Sequence, residues 1–124
     1  MSQSQLTPEQ LQDVQMFQKN EITEYHIYKK IVRRVKGNNR KILNDIAEDE
    51  LRHYHFWKEY SGKEVQPSKW KIFKFYWITR LLGLTFGIKL MENGEAGAQK
   101  KYEEALHYIP EAKSIVEDED AHEE

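Results

Sequence analysis

The chain of 124 residues contains no cysteine. Disulfides, thiolate-bound zinc, iron–sulfur clusters and a rubredoxin-type iron site are therefore excluded, and any metal must be held by carboxylates and imidazoles. A strong excess of one charge is also lacking. Nineteen lysines and arginines stand against 21 aspartates and glutamates, a formal charge of −2 that leaves no electrostatic footprint for nucleic acid. Long apolar runs are missing too. The most apolar stretch, Phe75 to Met91, contains Arg80 and Lys89 and falls short of the roughly 20 apolar residues of a membrane span. No secretory leader precedes the first helix start, so a soluble, cytoplasmic protein is the default expectation. Strand-like alternation is absent. What is there, 39% hydrophobic and 32% charged residues, suffices for one domain over residues 1–124 in which every element keeps a wet face.

Helix signals follow one another along the chain. Thr7-Pro8-Glu9-Gln10 combines a capping residue, a proline suited to the first turn and the glutamine of a capping box. The first helix is predicted to run to about Lys36, before Gly37. Asn38 and Asn39 are expected to cap a second, ending near Tyr60 ahead of Ser61-Gly62. Pro67-Ser68 opens a third helical region, and His107 to Pro110 turns the chain into a fourth. Two short turns and one long middle connection predict an all-α four-helix bundle with a crossover between helices 2 and 3.

The predicted inward faces carry acid. At 100° per residue, Leu11, Val14, Phe17, Tyr25, Tyr28, Val32 and Val35 form one stripe, with Glu21 at its centre and Glu24 beside it. The second helix places Glu50 and His53 among Leu43, Ile46, Ala47, Tyr54 and Trp57. The third sets Glu92 and Glu95 in a stripe of Leu81, Leu84, Ile88, Met91, Tyr102 and Leu106. The fourth aligns Glu119 and His122 with Ala112, Ile115 and Val116. An unpaired buried carboxylate is too costly for four such placements to be accidental.

Two hard divalent ions about 3.5–4 Å apart need about six carboxylate and imidazole ligands. A Glu-x-x-His pair sets two of these one turn apart, and single glutamates from two other helices close the cage. The pairs here are Glu50/His53 and Glu119/His122; the single carboxylates are Glu21 and either Glu92 or Glu95. Glu-x-x-His alone is weak evidence, since Glu104 and His107 form a third copy. That copy lies about 180° around the helix from Glu95 and is read as surface, as are His26 and His55. Glu24 is left open between ligand and outer-sphere carboxylate.

These residues together resemble the rubrerythrins of the ferritin-like di-iron carboxylate superfamily, from about Met16 to the end. Glu21 with Tyr28, the segment Ile46-Ala47-Glu48-Asp49-Glu50-Leu51-Arg52-His53, Gly94-Glu95 with Tyr102, and Glu117-Asp118-Glu119-Asp120-Ala121-His122 look like the four ligand segments of the family. Glu92 beside Glu95 resembles its doubled glutamate. The run Trp70 to Trp77 with Leu81-Leu82-Gly83-Leu84 looks like the branch found in front of vacuolar-iron-transporter-type membrane domains. The resemblance implies two iron ions bridged by Glu50 and Glu119, with terminal ligands Glu21, His53, Glu95 and His122, and Glu92 as an alternative ligand. Tyr28 and Tyr102 would assist catalysis by orienting ligand carboxylates. The implied activity is Fe(II) oxidation by O₂ or H₂O₂, of ferroxidase or peroxidase type, in iron homeostasis or oxidative-stress defence. With no rubredoxin domain, electrons would come from an external donor. Manganese suits the same ligands, and a non-catalytic iron- or manganese-binding sensor or delivery module of a membrane transporter is the alternative. A purely structural helical domain is the third reading.

The chain ends two residues after His122, so a short fourth helix is expected, in a natural protein that continues further. Lys69 to Trp77 interleaves cations with aromatics, a pattern compatible with a membrane surface. Packing against the bundle or a second subunit is the favoured reading, and with it a homodimer. The third helical region is expected either to break between Arg80 and Gly87 or to continue into a partner and exchange hairpins with it.

Overall fold

A computed structural model describes residues 6–94 and 96–123; side chains at 92, 94, 96, 97 and 119–123 lie outside the description. The described residues are helical throughout, connected by turns, with no strand among them. Helix α1 spans Pro8–Val32. Its start is the expected capping box: Gln10 N donates to Thr7 Oγ1 at 3.1 Å, and Thr7 N donates to Gln10 Oε1 at 3.0 Å. The α-helix ends one turn before Lys36 because the last turn tightens, with Arg34 N donating to Ile31 O and Val35 N to Val32 O.

Helix α2, Asn38–Ser61, starts without the expected asparagine cap, Gly37 standing at the N-cap with no side-chain hydrogen bond, and it stops at Gly62, whose φ of 70° is a left-handed conformation. Helix α3, Lys69–Leu82, is capped by Ser68, and α4 covers Leu84–Gly94. Helix α5 covers Ala96–Ala105; a 3₁₀ turn at Pro110–Ala112 then leads into α6, Lys113–Glu123.

The third region thus breaks inside the expected window, at Gly83, where φ is 104°. A side chain is strained in that conformation, so glycine is the residue that permits the bend. The bend folds α4 against α3 so closely that a Cβ on Gly87 would stand 2.3 Å from Thr79 Cγ2. It also overturns one expected core position. Leu81 shares its predicted inward stripe with Leu84, Ile88 and Met91, yet it is 76% exposed, whereas Met91 is buried. The stripe assumed an unbroken helix, and the break at Gly83 resets its phase.

Two apolar clusters make the core. One joins Val14 and Phe17 of α1 to Trp57 and Tyr60 of α2, and to Tyr102, Ala105, Ile109, Ile115 and Val116 further along. Phe17 stacks on Tyr102 at 4.2 Å between centroids and leans on Trp57 at 4.8 Å. The other joins Ile27, Tyr28, Ile31 and Val32 of α1 to Leu43 and Ala47 of α2, Phe75 of α3 and Met91 of α4. Early α1 therefore meets late α2 and late α1 meets early α2, so the two helices run antiparallel. Helices α5 and α6 return onto α1 and α2 of the same chain.

The connection between α2 and α3 is stitched down by side chains. Gln18 Nε2 donates to Lys63 O at 2.8 Å, Val65 N to Tyr54 Oη at 3.0 Å and Ser68 N to Thr23 Oγ1 at 2.9 Å. These contacts explain why Gln18 and Thr23, polar residues on an inward face, are buried.

Candidate metal centre

Between the two clusters lies a polar layer. Glu21 comes one turn after Phe17 and one heptad before Tyr28, so the periodicity that buries those aromatics also buries the carboxylate. On α2, Glu50 and His53 are bracketed by Ala47 on one side and Trp57 on the other. Glu21, Glu50 and His53 are 0%, 1% and 3% exposed. Each offers a donor atom within 4.8 Å of the others.

The imidazole of His53 organises this layer. Its Nδ1 lies 3.1 Å from Glu21 Oε2 and 3.9 Å from Glu50 Oε1, and its Nε2 lies 3.0 Å from Asp118 Oδ2 on α6. Glu21 also accepts a hydrogen bond from Tyr102 Oη at 3.0 Å on its other oxygen. With its proton on Nε2, the ring donates to Asp118 and turns the Nδ1 lone pair toward two carboxylates. Three electron-rich donors then face one point, where either a proton shared between Nδ1 and Glu21 or a bound cation supplies the balancing positive charge.

A divalent ion fits that requirement. Ligands about 2.1 Å from one ion stand about 3.0 Å apart at right angles and about 4.2 Å apart across it. The separations of 3.1 and 3.9 Å fall in that range. Two carboxylates and one imidazole form a hard, oxygen-rich set suited to iron, manganese or zinc. Asp118, on the far nitrogen, would fix the ring and its tautomer, and Tyr102 would fix the Glu21 carboxylate.

Comparison of the chain with protein-family models, with curated proteins and with solved structures finds no match. The site therefore stands on its own geometry.

Of the expected ligands, Glu21, Glu50 and His53 come together. The side chains of Glu92, Glu119 and His122, and residue 95 altogether, lie outside the described residues. Glu24 is buried on α1 but stands outside the group of three. Tyr102 donates directly to Glu21, and Tyr28 is buried one heptad further along α1, in the cluster that holds Leu43 and Met91. Glu104 and His107 are exposed, as are His26 and His55. Asp118 was not singled out from the sequence. It sits in the acidic run 117–120, which at 100° per residue favours no single face of a helix, and the placement of α6 brings it to His53.

Proposed function

We propose that this chain is a ferritin-like, rubrerythrin-type di-iron carboxylate protein that oxidises Fe(II) with O₂ or H₂O₂. The observation that carries the reading is the buried Glu21–Glu50–His53 group, with Tyr102 and Asp118 bracing it from two further helices. A buried layer with more carboxylates than cations is a poor stabiliser of a fold, which favours a functional reason for it. In this reading α1, α2, the α4–α5 region and α6 are the four bundle helices, and α3 belongs to the crossover. Glu95, Glu119 and His122, with Glu92 as alternate, complete a second ion's ligands.

When bound, two Fe(II) ions supply one electron each, the two that H₂O₂ needs with two protons to become two waters. The chain's own residues hold the site. Glu21 and Glu50 supply anionic oxygen, His53 supplies Nδ1, and Asp118 keeps the imidazole proton on Nε2. The apolar clusters on either side limit water and keep the donors from rotating away. An external donor returns the electrons.

Anaerobic titration with Fe(II), then admission of O₂ or H₂O₂, tests the reading. Two ions per chain are expected, with oxidant consumed at one H₂O₂ per two Fe(II). Glu21→Ala and His53→Ala should lose binding, and Glu104→Ala with His107→Ala should retain it. Stoichiometric, tight binding without oxidant consumption would replace the oxidoreductase by a sensor or delivery module. Absence of stoichiometric metal would remove both.

A further inference from the structure

Helix α3 is apolar on two sides and buries only one. Its inner side sends Phe75 into the core, and Phe75 is the helix's only buried residue. Trp70, Phe73, Trp77 and Leu81 are 67%, 56%, 41% and 76% exposed. Their spacing of three and four residues makes one stripe. The rings touch in sequence, Trp70 to Phe73 at 6.0 Å and Phe73 to Trp77 at 6.4 Å between centroids. At roughly 200 Å² for a large side chain, the stripe exposes on the order of 500 Å², near the upper end of single patches on monomers.

The charge around this stripe is one-sided. Residues 65–91 hold five lysines and arginines and no acid, and residues 25–44 hold seven more and no acid. These two stretches meet in space. Arg34 Nε donates to Tyr76 Oη at 2.9 Å, and the Lys30 ammonium sits 5.2 Å from the centre of the Tyr76 ring. Lys30, Arg33, Arg34 and Tyr76 line a single open depression. Lys30, Arg33, Arg34 and Arg80 thus gather around Tyr76 beside the stripe, in a chain whose net charge is −2.

We propose that the exposed face of α3 docks on an anionic lipid bilayer surface. Aromatic rings at headgroup depth with lysines and arginines around them are what such a surface selects. Each juxtamembrane cation adds attraction to acidic headgroups. No described helix is long and apolar enough to cross a membrane, so α3 would lie in the interfacial plane. A second copy of the chain is the poorer occupant, because two-fold pairing through this face would set the cations of α3 and their Lys30, Arg33 and Arg34 neighbours against their own copies.

Co-sedimentation of the full chain with vesicles decides the matter. Vesicles of phosphatidylcholine with about one-third phosphatidylserine should bind it, phosphatidylcholine alone should not, and about 0.5 M salt should release it. Trp77→Glu and Lys71→Glu should each weaken binding about fivefold or more, while Lys19→Glu, an equal charge change on exposed α1, should leave it intact. Unchanged far-UV helicity and thermal melting in these variants would show that the fold persists. Failure to bind acidic vesicles, or equal loss in Lys19→Glu, would overturn the proposal. So would a concentration-dependent dimer that Trp77→Glu dissociates in a chain without vesicle binding, which would assign the face to a second copy. Failure of iron binding leaves this test untouched.

Discussion

Replacing Glu50 by leucine should move stability in opposite directions with and without metal. Glu50 is 1% exposed, and its Oε1 lies 3.9 Å from His53 Nδ1. Glu21 and Asp118 already lie 3.1 and 3.0 Å from the two nitrogens of that ring. Among the described residues, one imidazole, even doubly protonated, sets a single positive charge against three carboxylates. Removing Glu50 leaves His53 paired on both nitrogens, so that ring is not stranded as a buried cation. Leucine, between Ala47 and Trp57, adds apolar contact in its place. Exchanging a buried charge for a packed apolar side chain is commonly neutral or stabilising by about 1–4 kcal/mol. The metal-free variant should therefore be at least as stable as the parent. In the parent, Mn(II) at a hundredfold excess over Kd should add about 2.7 kcal/mol, roughly 10 °C in Tm for a chain of this length. The variant should show none of that gain. Thermal melts followed by circular dichroism, with chelator and with Mn(II), give both numbers. A metal-free variant destabilised by more than about 2 kcal/mol would refute the charge argument, and a retained metal shift would remove Glu50 from the site.

Three further outcomes are expected. Tyr102→Phe removes the hydrogen bond to Glu21 Oε1, and loss of such a brace should weaken metal affinity about 10–100-fold with helicity unchanged, as read by competition with a chromophoric chelator. Gly87→Ala drives a methyl group into Thr79, 2.3 Å from its Cγ2 and 3.1 Å from its Cα; overpacking of this kind should cost about 1–3 kcal/mol in urea unfolding. Burial, then the hydrogen bond to Glu111, pushes the Tyr60 hydroxyl from 10.0 up to about 12. The neutral phenol is thus favoured in the folded state, and its contribution is complete below pH 10 and lost as pH rises toward 12. Tyr60→Phe should flatten that alkaline decline in a series of melts.

The helical class, the capping box at Thr7, the stop at Gly62 and the start at Ser68 were all legible in local sequence, because each depends on residues within one turn of it. The same holds for the three central site residues. Glu21, Glu50 and His53 share helical faces with Phe17, Tyr28, Ala47 and Trp57, and a period of 3.6 is enough to show that they point inward. Tertiary structure decided the rest. Whether the third region breaks or continues could not be read from a run without proline; the bend at Gly83 depends on α4 finding a close seat against Thr79. That bend turned Leu81 from an expected core position into the end of an exposed stripe. Asp118 became the partner of His53 through the placement of α6, since its neighbours in the acidic run are chemically equivalent and only a three-dimensional approach distinguishes them. Periodicity reports which way a side chain points from its own helix. What it meets there depends on how the helices are set against one another, over distances that no local pattern spans.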